Sequence, residues 1–253
     1  MALCCAFLWV SSPSKAQEGI TITTDDNYPP ITSTKLKYGG LGLRTVTRAF
    51  EVAGYPVKEV LWQPWARGFK LTKLNAIDAA FPWGVLPNRV DHFYFSDPFI
   101  YMINHVYVER TSSDRFVVPE DLKGKSYCNP NGYGDFGVIR EYREKGLLKR
   151  EEPLNMGFCF KMLATHRVDF VVAPVWDASY GIKAAGMEEE HFRRESVKIA
   201  ETPLGLIVSK KNERGPEIIA AFNKGLKELS RTGELREIFA SFDFLDFLPS
   251  DLN

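Results

Sequence analysis

The residues of this chain best suited to hold a small molecule are aromatic, and they follow strand-like runs. Tyr28 lies on a polar loop after Ile20-Thr21-Ile22-Thr23. Open α/β sheets bind ligands beyond the ends of their strands, which predicts a shared site. The later rings of this set are Trp83, Tyr133 and Trp176. Their faces suit a flat or partly apolar ligand, or a cation. The alternative for each ring is core packing, because large rings are mostly buried.

Catalytic and metal-binding residue types lack the spacing that their chemistry needs. The chain has no nucleophile elbow, no His-Glu-x-x-His and no recognisable Ser/His/Asp set. Gly132-Tyr133-Gly134 is too short for a dinucleotide fingerprint and instead predicts close backbone approach to a ligand. The sequence predicts no enzyme, no metal and no cofactor. The four histidines are scattered, without metal-ligand spacing: His92, His105, His166 and His191.

Charge disfavours nucleic-acid binding, and the first residues predict export. The 32 basic residues balance 32 acidic ones, so no excess is available to neutralise a nucleic-acid backbone. Residues 1–16 combine an apolar run with Ser14-Lys15-Ala16, which predicts a signal peptide and a periplasmic location. A short hydrophobic strand is the alternative. No later run approaches the roughly 20 apolar residues of a membrane span.

Two cysteines remain after the predicted leader. An even count in an oxidising compartment favours a disulfide between Cys128 and Cys159. Two buried free thiols are the alternative. A bridge would close a loop of about 30 residues and stabilise the fold by roughly 3–4 kcal/mol.

The element pattern predicts two α/β lobes. Strand-like and helical segments alternate as far as Phe81, and a similar order recurs after Lys125. Two strand-like runs, at residues 101–109 and 204–210, are predicted to cross between the lobes. We predict a first lobe from residues 17–104 and 207–253, and a second lobe from residues 105–206.

Several segments together resemble the bacterial extracellular solute-binding proteins of family 3. The resemblance implies a type II periplasmic binding protein fold: two lobes, each a mixed sheet flanked by helices, with the crossover strands as a hinge. Other segments look like a divergent branch of the family: Trp65-Ala66-Arg67, Phe81-Pro82-Trp83 and residues 128–133. The family-like segments are residues 22–30, Ile77-Asp78, Phe95-Ser96-Asp97, residues 120–125, Val168-Asp169 and residues 226–242.

The resemblance assigns a ligand-binding role to Arg89, which follows Leu86-Pro87-Asn88. A guanidinium matches both oxygens of a ligand carboxylate. The alternative is a surface residue paired with Asp91 or a glutamate. Leu86 replaces the threonine usual in the family, which removes one hydroxyl contact.

A second departure concerns recognition of an amine. The acidic residue that meets the ligand ammonium in the family is replaced by Pro174. Asp177 either substitutes for it or caps the helix that it opens. Asp26 lies on the first cleft loop, and Arg67 either reaches the cleft or only caps the lobe. An amino acid, a carboxylate without an amine, a peptide-like compound and an aromatic compound all remain candidate ligands.

The resemblance implies a monomer that captures a small polar ligand by hinge closure and delivers it to an ABC transporter permease or a membrane sensor. One alternative is a soluble periplasmic sensor partner. The other is an exported dehydratase on the same fold, which needs a general acid in the cleft. Candidates for that acid are Asp26, Asp177 and Glu201.

Overall fold

The computed structural model describes residues 19–252. The predicted leader at residues 1–16 lies outside the described residues. Within the described part, no helix has both the length and the apolar character that crossing a membrane requires.

The first lobe begins with alternating strands and helices, as predicted. Strand β1 is central and runs parallel to both β2 and β3. The second strand–helix unit places Asn75 in the left-handed conformation at the end of α2, as predicted. The elements are β1 (Ile20–Thr24), α1 (Leu41–Val52), β2 (Val57–Trp62), α2 (Trp65–Lys73), β3 (Ala79–Gly84), α3 (Pro87–Val90) and β4 (Phe93–Phe95).

The second lobe has a smaller mixed sheet with the strand order β5-β8-β6-β7. Strand β6 pairs in parallel with β7 and β8, while β5 pairs antiparallel with β8 and β9. Buried side chains form separate clusters on its two faces. Its elements are β5 (Ile100–Glu109), β6 (Ser126–Cys128), α4 (Gly137–Glu144), β7 (Lys149–Glu151), α5 (Met156–Ala164), β8 (Phe170–Ala173), α6 (Val175–Ala184), β9 (Phe192–Arg194) and β10 (Ala200–Ser209).

Strands β5 and β10 pass through both lobes. Residues Ile100 to Asn104 of β5 pair antiparallel with residues Leu204 to Ala200 of β10. Beyond this shared stretch, β5 joins the second sheet and β10 joins β3 and β4 of the first. The predicted crossovers are therefore confirmed, although β10 begins before the predicted Leu204. The first residues of β10 were not predicted as a strand because they include Glu201 and Pro203, and glutamate and proline are depleted in strands.

The chain returns to the first lobe through α7 (Gly215–Thr232) and α8 (Glu234–Ala240). The predicted apolar face of α7 is buried at Ile218, Phe222, Leu226 and Leu229. A Cβ at Gly225 would lie 1.8 Å from the Ala49 carbonyl oxygen of α1. Glycine at that position thus permits the close contact between α7 and α1.

The predicted disulfide is present. The sulfur atoms of Cys128 and Cys159 are bonded, with their Cα atoms 5.3 Å apart. The bond ties the end of β6 to α5. Residues 129–135 follow Cys128 directly, so the bond also fixes the start of that loop.

We predict that replacing both cysteines, Cys128→Ser with Cys159→Ser, lowers the free energy of unfolding by roughly 3–4 kcal/mol. The reason is that the bond closes a loop of 31 residues in the unfolded chain. Urea unfolding followed by tryptophan fluorescence measures the change. A reductant should destabilise the original protein equally and leave the double variant unaffected. Equal stability of the two oxidised proteins would contradict the expectation.

Candidate ligand-binding site

A cavity of about 60 Å³ lies between the lobes, near the ends of β3 and β8, with room for a few water-sized groups. Both lobes supply its walls. The first lobe contributes Tyr28, Trp65, Pro82, Trp83, Gly84, Arg89 and, with the crossover strands, Met102, Asn104 and Leu204. The second lobe contributes Asn129, Gly132, Tyr133, Gly134, Phe136, Val172 and Pro174.

Tyr28 is placed by the loop that follows β1. Its backbone exchanges two hydrogen bonds with Thr32, with N···O distances of 3.1 and 2.9 Å. The carboxylate of Asp25 accepts from the backbone N–H groups of Asn27 at 2.9 Å and Trp65 at 3.0 Å. Asp25 therefore fastens this loop to the first turn of α2. Burial raises the pKa of Asp25, while these hydrogen bonds lower it.

Aromatic rings meet edge to face across the gap between the lobes. The ring centroid of Tyr28 lies 5.6 Å from Trp65 and 5.9 Å from Tyr133. Trp65 also meets Tyr133 at 6.3 Å and Trp83 at 5.7 Å. Only the Tyr28–Tyr133 and Trp65–Tyr133 pairs cross between the lobes, and each of these two stabilises the closed arrangement by about 0.5–1.5 kcal/mol beyond its buried area. These four residues are called the aromatic seam below.

Arg89 lies in the cavity wall, not in solvent. Its residue is 6% exposed, and Nη1 donates to the Gly84 carbonyl at 2.9 Å. The guanidinium carbon lies 4.7 Å from the ring centroid of Trp83 and 5.7 Å from that of Phe69. Burial lowers the pKa of Arg89 to about 10, so the group stays cationic at neutral pH.

The predicted alternative partner of Arg89 is absent. No carboxylate among residues 19–252 forms an ion pair with it, Asp91 included. A buried cation with a single carbonyl partner is well suited to receive a ligand anion, because a carboxylate would satisfy its remaining donors.

Arg150 positions the loop at residues 129–135, which forms part of the opposite wall. The sequence did not predict this role. Its Nη2 donates to the carbonyl oxygens of Asn129, Pro130 and Tyr133 at 3.2, 2.9 and 3.0 Å. Its Nη1 pairs with the buried Asp135 at 2.8 Å. Arg150 thus binds both ends of the loop at residues 129–135 and sets the position of the Tyr133 ring.

Gly132 lines the cavity and also allows the two lobes to approach each other. Its φ is +87°, and a Cβ there would lie 2.8 Å from both the Ala66 nitrogen and the Trp65 Cβ. Glycine lets the loop of the second lobe approach the start of α2 across the gap. A side chain at this position would hold the lobes apart.

Trp176 and Asp177 are brought to the lobe junction but do not line the cavity. The Trp176 ring packs against Tyr28 at 6.4 Å, Phe244 at 5.2 Å and Phe247 at 4.9 Å. Asp177 is fully buried, and neither carboxyl oxygen has a hydrogen-bond partner. The helix cap before α6 is Pro174, so the capping alternative for Asp177 is wrong.

The environment of Asp177 favours its neutral form. Burial raises its pKa to about 8, an interaction with Tyr133 opposes the rise, and the charge of Asp25 adds to it. At pH 7 this carboxyl group therefore carries a proton and offers no full negative charge to a ligand.

Asp26 and Arg67 lie away from the cavity wall. Asp26 accepts hydrogen bonds from the Thr34 backbone and hydroxyl and from the Ser33 hydroxyl, which fixes the next turn of the loop. Arg67 is exposed on α2. The structure therefore brings together Tyr28, Trp83, Arg89, Gly132 and Tyr133 of the predicted set.

Several further side chains of the wall were not predicted as site residues, among them Trp65, Asn104 and Phe136. Trp65 was placed only in a segment that looks like a divergent branch of the family, although an aromatic residue directly after Pro64 at a helix start was an available signal. Asn104 lies within a crossover strand, and Phe136 precedes α4. No local pattern marks either residue, because only the closure of the lobes directs them to one cavity.

Two α/β lobes that share antiparallel crossover strands and enclose a cavity define the type II periplasmic binding protein fold. A histidine kinase sensor domain similar to periplasmic binding proteins is 22% identical, with a TM-score of 0.75, covering 92% of this chain and 98% of its own. An ancestral arginine-binding protein bound to arginine is 20% identical, with a TM-score of 0.73 and coverage of 90% and 99%.

A third similar structure comes from work on glutathione import via GshT and the cystine ABC importer TcyBC of Streptococcus mutans. It is 16% identical, with a TM-score of 0.74 and coverage of 92% of this chain and 98% of that chain. The family model for bacterial extracellular solute-binding proteins, family 3, matches residues 20–245, and the chain belongs to this family. Comparison with curated protein sequences finds no match.

We predict that Arg150→Met lowers the free energy of unfolding by about 3–5 kcal/mol. The substitution leaves the buried Asp135 with one ion pair fewer and frees three backbone carbonyls. Urea unfolding measures the loss. The matched control is Arg140→Met, since Arg140 forms only a partly exposed pair with Glu144 at 3.7 Å. A change below about 1 kcal/mol is expected there. Similar losses in both variants would refute a special role for Arg150.

We also predict that Asp177→Asn removes a pH dependence of stability. Between the ordinary value of 3.8 and the folded pKa of about 8, the folded protein binds one proton more than the unfolded chain. The free energy of unfolding therefore falls by up to about 1.4 kcal/mol per pH unit as the pH rises. Urea unfolding at pH 5, 6, 7 and 8 should show a flatter profile for the variant.

The control for this experiment is Asp121→Asn. Backbone hydrogen bonds from Val118 and Val117 lower the pKa of Asp121, which places its titration below the measured range. This variant should keep the original slope. An Asp177→Asn profile with an undiminished slope would show that Asp177 is not the group responsible.

Proposed function

We propose that this solute-binding protein captures a small carboxylate-bearing molecule between its lobes, outside the cytoplasm, and presents it to a membrane partner. The observation that best supports this proposal is the buried Arg89 guanidinium, which lines the cavity and has one carbonyl as its hydrogen-bond partner. A ligand carboxylate accepts two parallel hydrogen bonds from such a group. Family membership supports the binding role.

Closure around the ligand is proposed to occur at the two crossover strands. Each strand changes partners near one point, β5 after Asn104 and β10 near Leu204. Small torsion changes at these points would swing the lobes without breaking either sheet. The residues that would close on the ligand are Tyr28, Trp65, Trp83 and Arg89 from one side, and Tyr133 with Gly132 from the other.

The proposed partner is the permease of an ABC transporter, with the protein acting as a monomer. A sensing role is the second candidate, because a histidine kinase sensor domain is among the similar structures. In either role, four of the predicted residues are proposed to act at the rim and junction of the cleft and not on the ligand: Asp26, Arg67, Trp176 and Asp177. Binding without chemical turnover is proposed in either case.

We predict that a carboxylate solute that raises the melting temperature also reduces the radius of gyration in solution scattering. Arg89→Gln should weaken its binding about 100-fold, since a buried charge-assisted pair is lost. Titration calorimetry measures the affinity. The control is Arg140→Gln, at a half-buried residue of α4 outside the cavity wall, and this variant should bind normally. Stabilising solutes that produce no compaction, or an Arg89→Gln variant with full affinity, would contradict the proposal.

A further inference from the structure

The charge of the cavity wall is unbalanced. Among the described residues that line it, Arg89 is the single charged side chain, and no carboxylate is present. The other polar side chains are the hydroxyls of Tyr28 and Tyr133, the indoles of Trp65 and Trp83 and the amides of Asn104 and Asn129. One fixed positive charge therefore faces an otherwise neutral space.

The residue that follows β8 at the cavity carries no acid. Pro174 follows β8 where that strand reaches the cavity. It offers only its backbone carbonyl, which already accepts from the Ala178 N–H at 2.9 Å. A proline there also lacks an N–H, so it contributes little polar chemistry to this wall.

The two carboxyl groups near the aromatic seam do not line the cavity. Asp25 is occupied by the backbone N–H groups of Trp65 and Asn27. Asp177 is fully buried beside the seam residues Tyr28 and Tyr133, whose pKa values its charge would raise. Neither carboxyl group is therefore exposed on the cavity wall to a bound ammonium group.

The remaining wall is apolar or aromatic. Trp65, Trp83, Phe136, Met102 and Leu204 present ring and aliphatic surface to the space. Such a surface stabilises an apolar ligand body by burying its area. An ammonium group in the same space would find ring faces and neutral oxygen acceptors but no carboxylate, and it would lie beside the positive charge of Arg89, so the loss of its water would be offset only in part.

We propose that the ligand is a monocarboxylate with an aromatic or aliphatic body and no free ammonium group, and that the site discriminates against the corresponding α-amino acid. This inference rests on the proposed function, because it takes the cavity as the ligand site. Arg89 holds the carboxylate, and Asn104 accommodates a further neutral polar group. The aromatic seam encloses the body, and the lobes must part more widely than in this structure to admit it, because the cavity volume is about 60 Å³.

The test uses compounds that differ only in their charged groups. Titration calorimetry with the exported chain compares 3-phenylpropanoate, L-phenylalanine and 2-phenylethylamine, and then 4-methylpentanoate with L-leucine. At least one carboxylate is expected to bind roughly 100-fold or more tightly than its amino acid, since a buried unpaired ammonium is strongly disfavoured. The amine alone is expected not to bind.

Substitutions in the cavity wall test whether the cavity causes the preference for the carboxylate over the amino acid. Arg89→Gln should remove carboxylate binding, and Arg89→Lys should retain part of it, because lysine keeps the charge but not the planar fork. Pro174→Asp should shift preference toward the amino acid by supplying an acceptor. Circular dichroism and melting curves check that each variant folds, and Arg140→Gln serves as the unaffected control.

The possible results distinguish failure of this inference from failure of the proposed function. Amino acids that bind as tightly as their carboxylates, and compact the protein, would overturn the inference and leave the proposed function standing. If neither carboxylates nor amino acids bind, and scattering shows no compaction with them, both the inference and the proposed function are overturned.

Discussion

The antiparallel pairing of β5 with β10 is the constraint on which the rest of the structure depends. Five residue pairs, from Ala200 with Asn104 to Leu204 with Ile100, join the two strands before they diverge into different sheets. Because β5 continues into the second sheet and β10 into the first, the ends of β3 and β8 are directed toward one gap. The loops that follow these strands therefore meet, although they lie about 90 residues apart in the chain.

The cavity formed in this way holds a cation without a counter-charge. Removing a charged group from water is unfavourable unless protein groups replace the lost interactions. Around Arg89 the replacement is partial: one carbonyl oxygen and the faces of two aromatic rings. An incomplete shell of this kind is a reason for the cleft to attract an anion, since the ligand supplies the interactions that the protein omits.

Contacts within the cleft wall of the second lobe are stronger than the contacts that join the two lobes. Arg150, Asp135 and the disulfide fix the loop at residues 129–135 through several strong, buried contacts. The aromatic seam joins the lobes by edge-to-face contacts of modest strength. Strong contacts within a lobe, combined with weak contacts between the lobes, suit a molecule whose lobes must separate and close again while each lobe keeps its shape.

Sequence reasoning recovered the elements that depend on local chemistry. A period-two apolar run marked β1, a second strand-like run marked β2, the apolar face of α7 was correct, and Gly233 adopts the left-handed conformation that separates α7 from α8. The cysteine count, with the inferred compartment, predicted the disulfide. The first residues of β10 were missed, because their strand character comes from pairing with β5 and not from their own propensities.

The composition of the candidate site was only partly visible in the sequence. Tyr28, Trp83, Arg89 and Tyr133 lie within or shortly after the carboxyl ends of strand-like runs, and that position is a local property which the sequence determined by itself. The places of Trp65, Asn104, Phe136 and Arg150 were decided by the tertiary structure. So was the exclusion of Trp176 and Asp177 from the cavity wall. Contacts between residues far apart in the chain, and the desolvation they cause, arise only when the lobes pack together.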